Sequence, residues 1–237
     1  MTEQAHDANR KLSRQEASEA VSELGWRYVL GAFCTSVKVT SISQAGDIAA
    51  LAADVAGAHA DDHLRIDLRR DRVILTLQTL SVAAVTARDA DLADRISSAI
   101  DDLELQPTPG VDTDARRSVQ LIEIAIDAID IPSIRPFWKA VMGYADEADR
   151  TGPKDPLVDP LGQGPAIWFQ QMDTRRLERN RIHLDVSVPH DEAQRRVQAA
   201  LDAGGTLVSN AAAPAFWVLA DDEGNEACVT TWQGRDS

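Results

Sequence analysis

Histidine is the side chain that titrates nearest neutrality, and the chain has five. His59 and His63 stand four apart, a spacing that would set both imidazoles on one helical face and allow them to share a metal. Ala60, however, occupies the place of the glutamate in a His-Glu-x-x-His zinc site, and no third ligand is evident nearby. Taken singly, His63 reads either as a surface histidine at a helix end or as an acid/base group with Asp62 beside it. Asp54 and Asp61 read as helix-surface carboxylates, and Arg69-Arg70-Asp71-Arg72 as a solvated turn diluted by acids. Glu123 lies between Ile122 and Ile124, so on a strand it points away from them, into a pocket or into solvent. Cys34 and Cys228 are too distant in sequence to suggest a disulfide framework, and Cys228 by itself reads as a small buried hydrophobe.

The elements that must position these groups fall into two sets. Ser13 and Glu16 form a capping box for a helix from Leu12 to Leu24, stopped by Gly25. Alternating residues from Trp26 to Thr40 predict a hairpin turning near Gly31, and Ile48, Leu51, Ala52 and Val55 predict a helix to His59. A strand over Val73–Leu80, with one further strand allowed, and a helix over Ala87–Leu103 complete an α+β unit: an antiparallel sheet with helices on one face. The proline-containing stretch 104–118 reads as a linker.

Beyond it, Leu121-Ile122-Glu123-Ile124 repeats as Arg181-Ile182-His183-Leu184, sixty residues on. Each copy leads into an amphipathic helix, Ser133–Met142 ending at Gly143 and Asp191–Leu201 ending at Gly204-Gly205, and then into short strands. The strands expected are Ala166–Gln170 in the first copy and Phe216–Leu219 and Ala227–Trp232 in the second, the last two joined by a turn over Asp221–Asn225. Two such modules would pair into one curved sheet around a pocket. With four of the five tryptophans in this half, at 138, 168, 217 and 232, the pocket would be aromatic-lined unless they serve the core.

At 237 residues, 44% of them apolar and 26% charged, the chain suits two globular domains. A net charge of −14 excludes a phosphate-backbone ligand. The absence of a secretion signal, of an 18-residue apolar run and of a disulfide framework points to a cytoplasmic protein with no membrane partner.

Leu12-Ser13-Arg14, Leu24-Gly25-Trp26, the long helix, Thr79-Leu80-Ser81 and Thr86-Ala87-Arg88-Asp89 together resemble the pterin-4a-carbinolamine dehydratase family over residues 12–103. The resemblance implies a lyase that dehydrates 4a-hydroxytetrahydrobiopterin with a His-His-Pro motif, a third histidine and an aspartate. Those positions fall on Asp62-His63-Leu64, Leu80 and Asp89, and the family's paired glycines on Ala83-Ala84. His63 and Asp89 match. The implied catalytic set is His63, Asp62 and Asp89, with Asp62 raising the basicity of its neighbour and with weak or lost turnover.

Phe137-Trp138, Gly164 to Gln170, Asn180 to Asp185 and Gly224 to Cys228 resemble the glyoxalase-like branch of the vicinal oxygen chelate superfamily over residues 119–233. This implies paired βαβββ modules and a possible divalent metal, with ligands falling on Glu123, His183 and Cys228 and a fourth near Gln170. Carboxylate, imidazole, amide and thiol suit no single common ion best. Three function classes follow: a degenerate dehydratase, a non-catalytic small-molecule binding protein using one or both pockets, or a metal-dependent enzyme. The dehydratase resemblance also implies a homo-oligomer.

Overall fold

The computed structural model describes residues 8–110, 118–174 and 182–234. No helix among them is long and apolar enough to cross a membrane. The chain divides into two compact α+β units between Leu121 and Ile122.

The first unit runs α1 (Arg14–Val21), β1 (Arg27–Val29), β2 (Ala32–Lys38), α2 (Ile42–Ala56), a single turn α3 (Ala60–His63), β3 (Leu64–Leu68), β4 (Arg72–Leu77), α4 (Ala87–Asp101) and β5 (Pro107–Thr108). The strands are antiparallel in the order β1-β2-β4-β3, with β5 on the part of β2 that β1 leaves free. Phe33 and Val37 of β2 and Val73, Leu75 and Leu77 of β4 occupy alternate positions and so share a face. They form one core with Val21, Ile48, Ala52, Leu92 and Ile96 of the three long helices. Trp26 is fully buried there, its indole N–H donating to Ser97 Oγ at 2.9 Å.

The Ser13–Glu16 capping box forms. Gly25 follows α1 at φ 77°, and a Cβ there would lie 2.1 Å from the Pro107 carbonyl oxygen, so this glycine both turns the chain and admits β5. Helix α2 begins at Ile42, six residues before the apolar stripe that announces it in the sequence, because its first turn is capped by Ser41, which accepts from Gln44 N at 3.1 Å. β3 is the second of the strands allowed after that helix. The stretch read as a linker begins inside the first unit: Pro107–Thr108 adds a strand, and Ser36 Oγ donates to Thr108 O. Residues 111–117 of that stretch lie outside the described residues.

The second unit is a tandem repeat. Its first module is β6 (Glu123–Ala128), α5 (Ile131–Met142), β7 (Ala145–Asp146), β8 (Leu157–Val158) and β9 (Ala166–Gln171). The second is β10 (Leu184–Ser187), α6 (Ala193–Asp202), β11 (Thr206–Ser209), β12 (Phe216–Ala220) and β13 (Glu226–Thr230). Each folds as a four-stranded sheet with its first and last strands parallel and adjacent, β6-β9-β8-β7 and β10-β13-β12-β11. The repeat holds residue by residue: Ile124 pairs with Ile167 and, sixty positions on in both strands, Leu184 pairs with Ala227. Arg181 of the repeated motif, and Asn180 before it, lie outside the described residues.

One curved sheet was the expectation; among the described residues the two sheets instead remain separate. What joins the modules is a common core containing Phe137, Trp138 and Val141 of α5 and Val197 and Ala200 of α6, with strand residues from both sheets. Gly205 permits this approach, since a Cβ there would meet the Phe137 ring at 2.4 Å. Trp138 and Trp217 belong to that core rather than to a pocket wall, whereas Trp168 is half-buried and Trp232 exposed.

Candidate functional site

Two clusters of titratable side chains stand out, one in each unit. The first is built where α2 hands the chain to β3 and β4 hands it to α4. After α2, Gly57 at φ 58° starts a tight turn through His59, and α3 ends on His63, whose carbonyl accepts from Gln78 N at 2.9 Å. On the other side Thr79 and Ala84 form a β-bridge, with Ala83 at φ 45° where the family resemblance places a glycine. Thr86 then caps α4 and Asp89 sits in its first turn.

Asp89 is completely buried, yet both of its oxygens are engaged. Oδ2 accepts from Thr86 N at 2.7 Å, Thr79 Oγ1 at 2.7 Å and Thr86 Oγ1 at 3.0 Å. Oδ1 lies 2.8 Å from His63 Nδ1. A carboxylate can only accept, so His63 carries a proton on Nδ1, and in the neutral ring the lone pair lies at Nε2. His63 itself is 5% exposed. Its hydrogen bonds all run through Nδ1, and among the described residues no buried side-chain polar atom lacks a partner, so Nε2 reaches the surface.

The sequence offers His63 two carboxylates, Asp62 and Asp89. In the structure Asp62 is exposed and makes no hydrogen bond to His63, and Asp89 is the one that holds the ring. Proximity in sequence does not decide between them, because residues 62 and 63 of a helical turn point in different directions. Leu80, in the place of a third histidine, lies in a single 3-10 turn and contributes no polar group. His59, not assigned to acid/base chemistry from the sequence, packs edge-on to His63 with ring centroids 5.9 Å apart, and its Nε2 lies 2.8 Å from Arg88 Nη1.

The second cluster lies on the parallel pair β10 and β13. Asp185 is in register with Cys228, and His183, two residues before Asp185, continues the same face. Cys228 Sγ lies 3.6 Å and Asp185 Oδ1 3.3 Å from His183 Nδ1, and the ligand atoms of all three residues fall within 4.8 Å of one another. Cys228 is buried while the other two are about half exposed. Farther along this face Ser187 Oγ and Thr230 Oγ1 are 2.8 Å apart, beside an open hollow of about 370 Å³ that Trp232 also lines.

Of the expected ligands, His183 and Cys228 come together. Glu123 is exposed at the start of β6 and is not in the cluster; Gln170 is exposed and in register with Asp127. The first module's counterparts of Asp185 and Cys228 are Ala125 and Trp168, in register with each other, so the donor set belongs to the second module. Asp185 was missed, although its two-residue spacing from His183 on a strand was a legible signal.

Residues 10–99 match the family described as pterin 4 alpha carbinolamine dehydratase, and residues 123–230 match that described as glyoxalase-like domain. Among solved structures, a transcriptional coactivator/pterin dehydratase from Brucella melitensis is 31% identical, with 38% of this chain and 98% of that one covered and a TM-score of 0.34. A glyoxalase/bleomycin resistance protein/dioxygenase family enzyme from Burkholderia phytofirmans is 19% identical over 46% of this chain and 95% of that one, with a TM-score of 0.37. A glyoxalase/dioxygenase from Nostoc punctiforme is 13% identical over 51% and 94%, with a TM-score of 0.39. No curated protein matches the chain.

Proposed function

The chain belongs through residues 10–99 to the pterin 4 alpha carbinolamine dehydratase family and carries a glyoxalase-like domain over residues 123–230, and from this premise we propose that its first unit dehydrates a 4a-hydroxytetrahydropterin with a reduced acid/base set. The observation that carries the reading is the buried 2.8 Å bond from His63 Nδ1 to Asp89, which leaves Nε2 as the working atom. His63 Nε2 takes the proton of a ring N–H, whose electron pair forms the new carbon–nitrogen double bond as the C4a–O bond breaks with its pair on oxygen. That oxygen receives the proton back from Nε2 and departs as water, so His63 ends as it began. Asp89 fixes the tautomer and orientation, and Asp62 takes no step.

The test is dehydration of a 4a-hydroxytetrahydropterin by the purified protein beside His63→Ala. Turnover above the uncatalysed rate that falls roughly 100-fold or more in the variant is expected. Equal rates with wild-type protein, variant and no protein would retire the dehydratase and leave the pocket as a non-catalytic small-molecule site.

A second reading rests on the His183, Asp185 and Cys228 cluster. Zinc bonds of about 2.0–2.3 Å in a tetrahedron set neighbouring donors roughly 3.5 Å apart, and the donor separations of 3.6 and 3.3 Å fit that edge. Imidazole, carboxylate and thiolate are also ligands that zinc accepts together. These residues would hold the ion from one side, and a bound ion would supply Lewis-acid polarisation of a substrate oxygen. Near-stoichiometric zinc in purified protein, lost in Cys228→Ala, is the expected result; a trace of metal unchanged by that substitution would sink the reading. Two cysteines that are thiols rather than a disulfide support a reducing, cytoplasmic setting. The self-association that the dehydratase resemblance implies is read by light scattering.

A further inference from the structure

Thr86, Asp89 and His63 account for one proton-carrying group, yet departure of a hydroxyl asks for a second polar contact at the leaving oxygen. The sequence offers no donor at positions 62 or 80, which hold a carboxylate, an acceptor when ionised, and leucine. The structure has a second imidazole beside the first. His59 lies with its ring centroid 5.9 Å from that of His63 and nearly perpendicular to it, at 85°. Arg88 Nη1 is 2.8 Å from His59 Nε2, and a guanidinium can only donate, so Nε2 is the acceptor and the ring proton sits on Nδ1. Desolvation at its half-buried position, and then the Arg88 charge, hold the His59 pKa below the ordinary histidine value, which keeps the ring neutral.

Among the described residues His59 Nδ1 and His63 Nε2 make no hydrogen bond, and because no buried side-chain polar atom is left without a partner, both reach the surface. The pair therefore offers an acceptor from His63 and a donor from His59 within the span of one small ligand.

We propose that His59 is a catalytic residue of the first unit, its neutral Nδ1–H donating a hydrogen bond to the departing hydroxyl oxygen while His63 Nε2 carries the proton, with Arg88 as the positioning residue that fixes the His59 tautomer. This rests on the dehydratase reading above. His59 neither gains nor loses a proton: it stabilises the charge that builds on oxygen as the C4a–O bond breaks, and His63 performs both transfers. The arrangement supplies from position 59, the last residue of the turn after α2, a contact that the motif positions of this sequence do not provide.

Three substitutions at His59 separate chemistry from packing. Phenylalanine keeps a ring of similar shape against His63 and removes the donor; asparagine keeps an N–H close to the place of Nδ1; glutamine places its amide where Nε2 meets Arg88. The expected order of kcat is wild type, then His59→Asn within about 10-fold, then His59→Gln and His59→Phe lower by roughly 100-fold, with KM changed much less. A role in packing alone would leave His59→Phe at the wild-type rate, and that result overturns the proposal, as does a rank in which asparagine rescues nothing.

The same samples, labelled with nitrogen-15 on their imidazoles, distinguish failure of this inference from failure of the dehydratase reading. Both rings are expected as Nδ1–H tautomers, and both free nitrogens are expected to shift when a dihydropterin lacking the 4a-hydroxyl is added. If wild-type protein shows no turnover but both rings shift, the reaction is wrong and the two-histidine ligand site stands. If the His59 ring is silent, or protonated on Nε2, the site is wrong as well.

Discussion

Asp89 is where the first site and the fold of its unit depend on the same atoms. Four contacts from three residues converge on its two oxygens, at a position with no exposure to water. In Asp89→Asn one of those oxygens becomes an amide that must face either the Thr86 and Thr79 donors or the His63 Nδ1–H. The first choice leaves buried donors unpaired; the second forces the His63 proton onto Nε2 and removes the lone pair there. We expect this variant to lose about 1–3 kcal/mol of stability in urea melts, together with its turnover. A variant of undiminished stability and activity would contradict the carboxylate's assigned role. His63 and Asp89 were legible because each sits at a motif position. Thr79 and the His59–Arg88 contact were not, because each depends on which side chains separate segments bring within hydrogen-bonding distance.

Elements present the same division. Helix α1 was readable from its capping box and Gly25, both local signals. The start of α2 was harder to read, since Ile42-Ser43-Gln44-Ala45 is too short to show an apolar period, and β5 was read as linker because two residues, one of them proline, show no alternation. In the second unit α5 is tied to β7 by Asp146, whose carboxylate takes Lys139 Nζ and Arg135 Nη2 at 2.7 Å each, the Arg135 side chain being 9% exposed. The Lys139 bond foremost, then that of Arg135, holds the Asp146 pKa below its ordinary value. A carboxylate depressed in the folded state stabilises above its unfolded pKa and loses that contribution as pH falls through the folded one. Wild-type protein should therefore lose an increment of stability below about pH 4 that Asp146→Asn lacks, with the variant about 1 kcal/mol less stable at neutral pH. Parallel pH–stability curves for the two proteins would remove this ion pair from the account.

At the scale of the whole molecule, each unit has a core of its own, one centred on Trp26, Leu75 and Ile96 and the other on Phe137, Leu157 and Ile167. Separately produced fragments ending at Leu121 and beginning at Ile122 are each expected to unfold cooperatively; a fragment that stays molten with its partner absent would mean that the cores are not independent. By itself the amino-acid order determined the two-unit organisation, the sixty-residue repeat and the positions of His63, Asp89, His183 and Cys228, because caps, apolar periods and motif spacings are encoded within a few residues. Tertiary structure alone decided that Asp89 rather than Asp62 holds His63, that His59 stands beside it, that Asp185 joins His183 and Cys228 while Glu123 does not, and that the modules keep separate sheets. Those outcomes depend on strand register and on the directions of side chains from segments far apart in the chain, which only packing fixes.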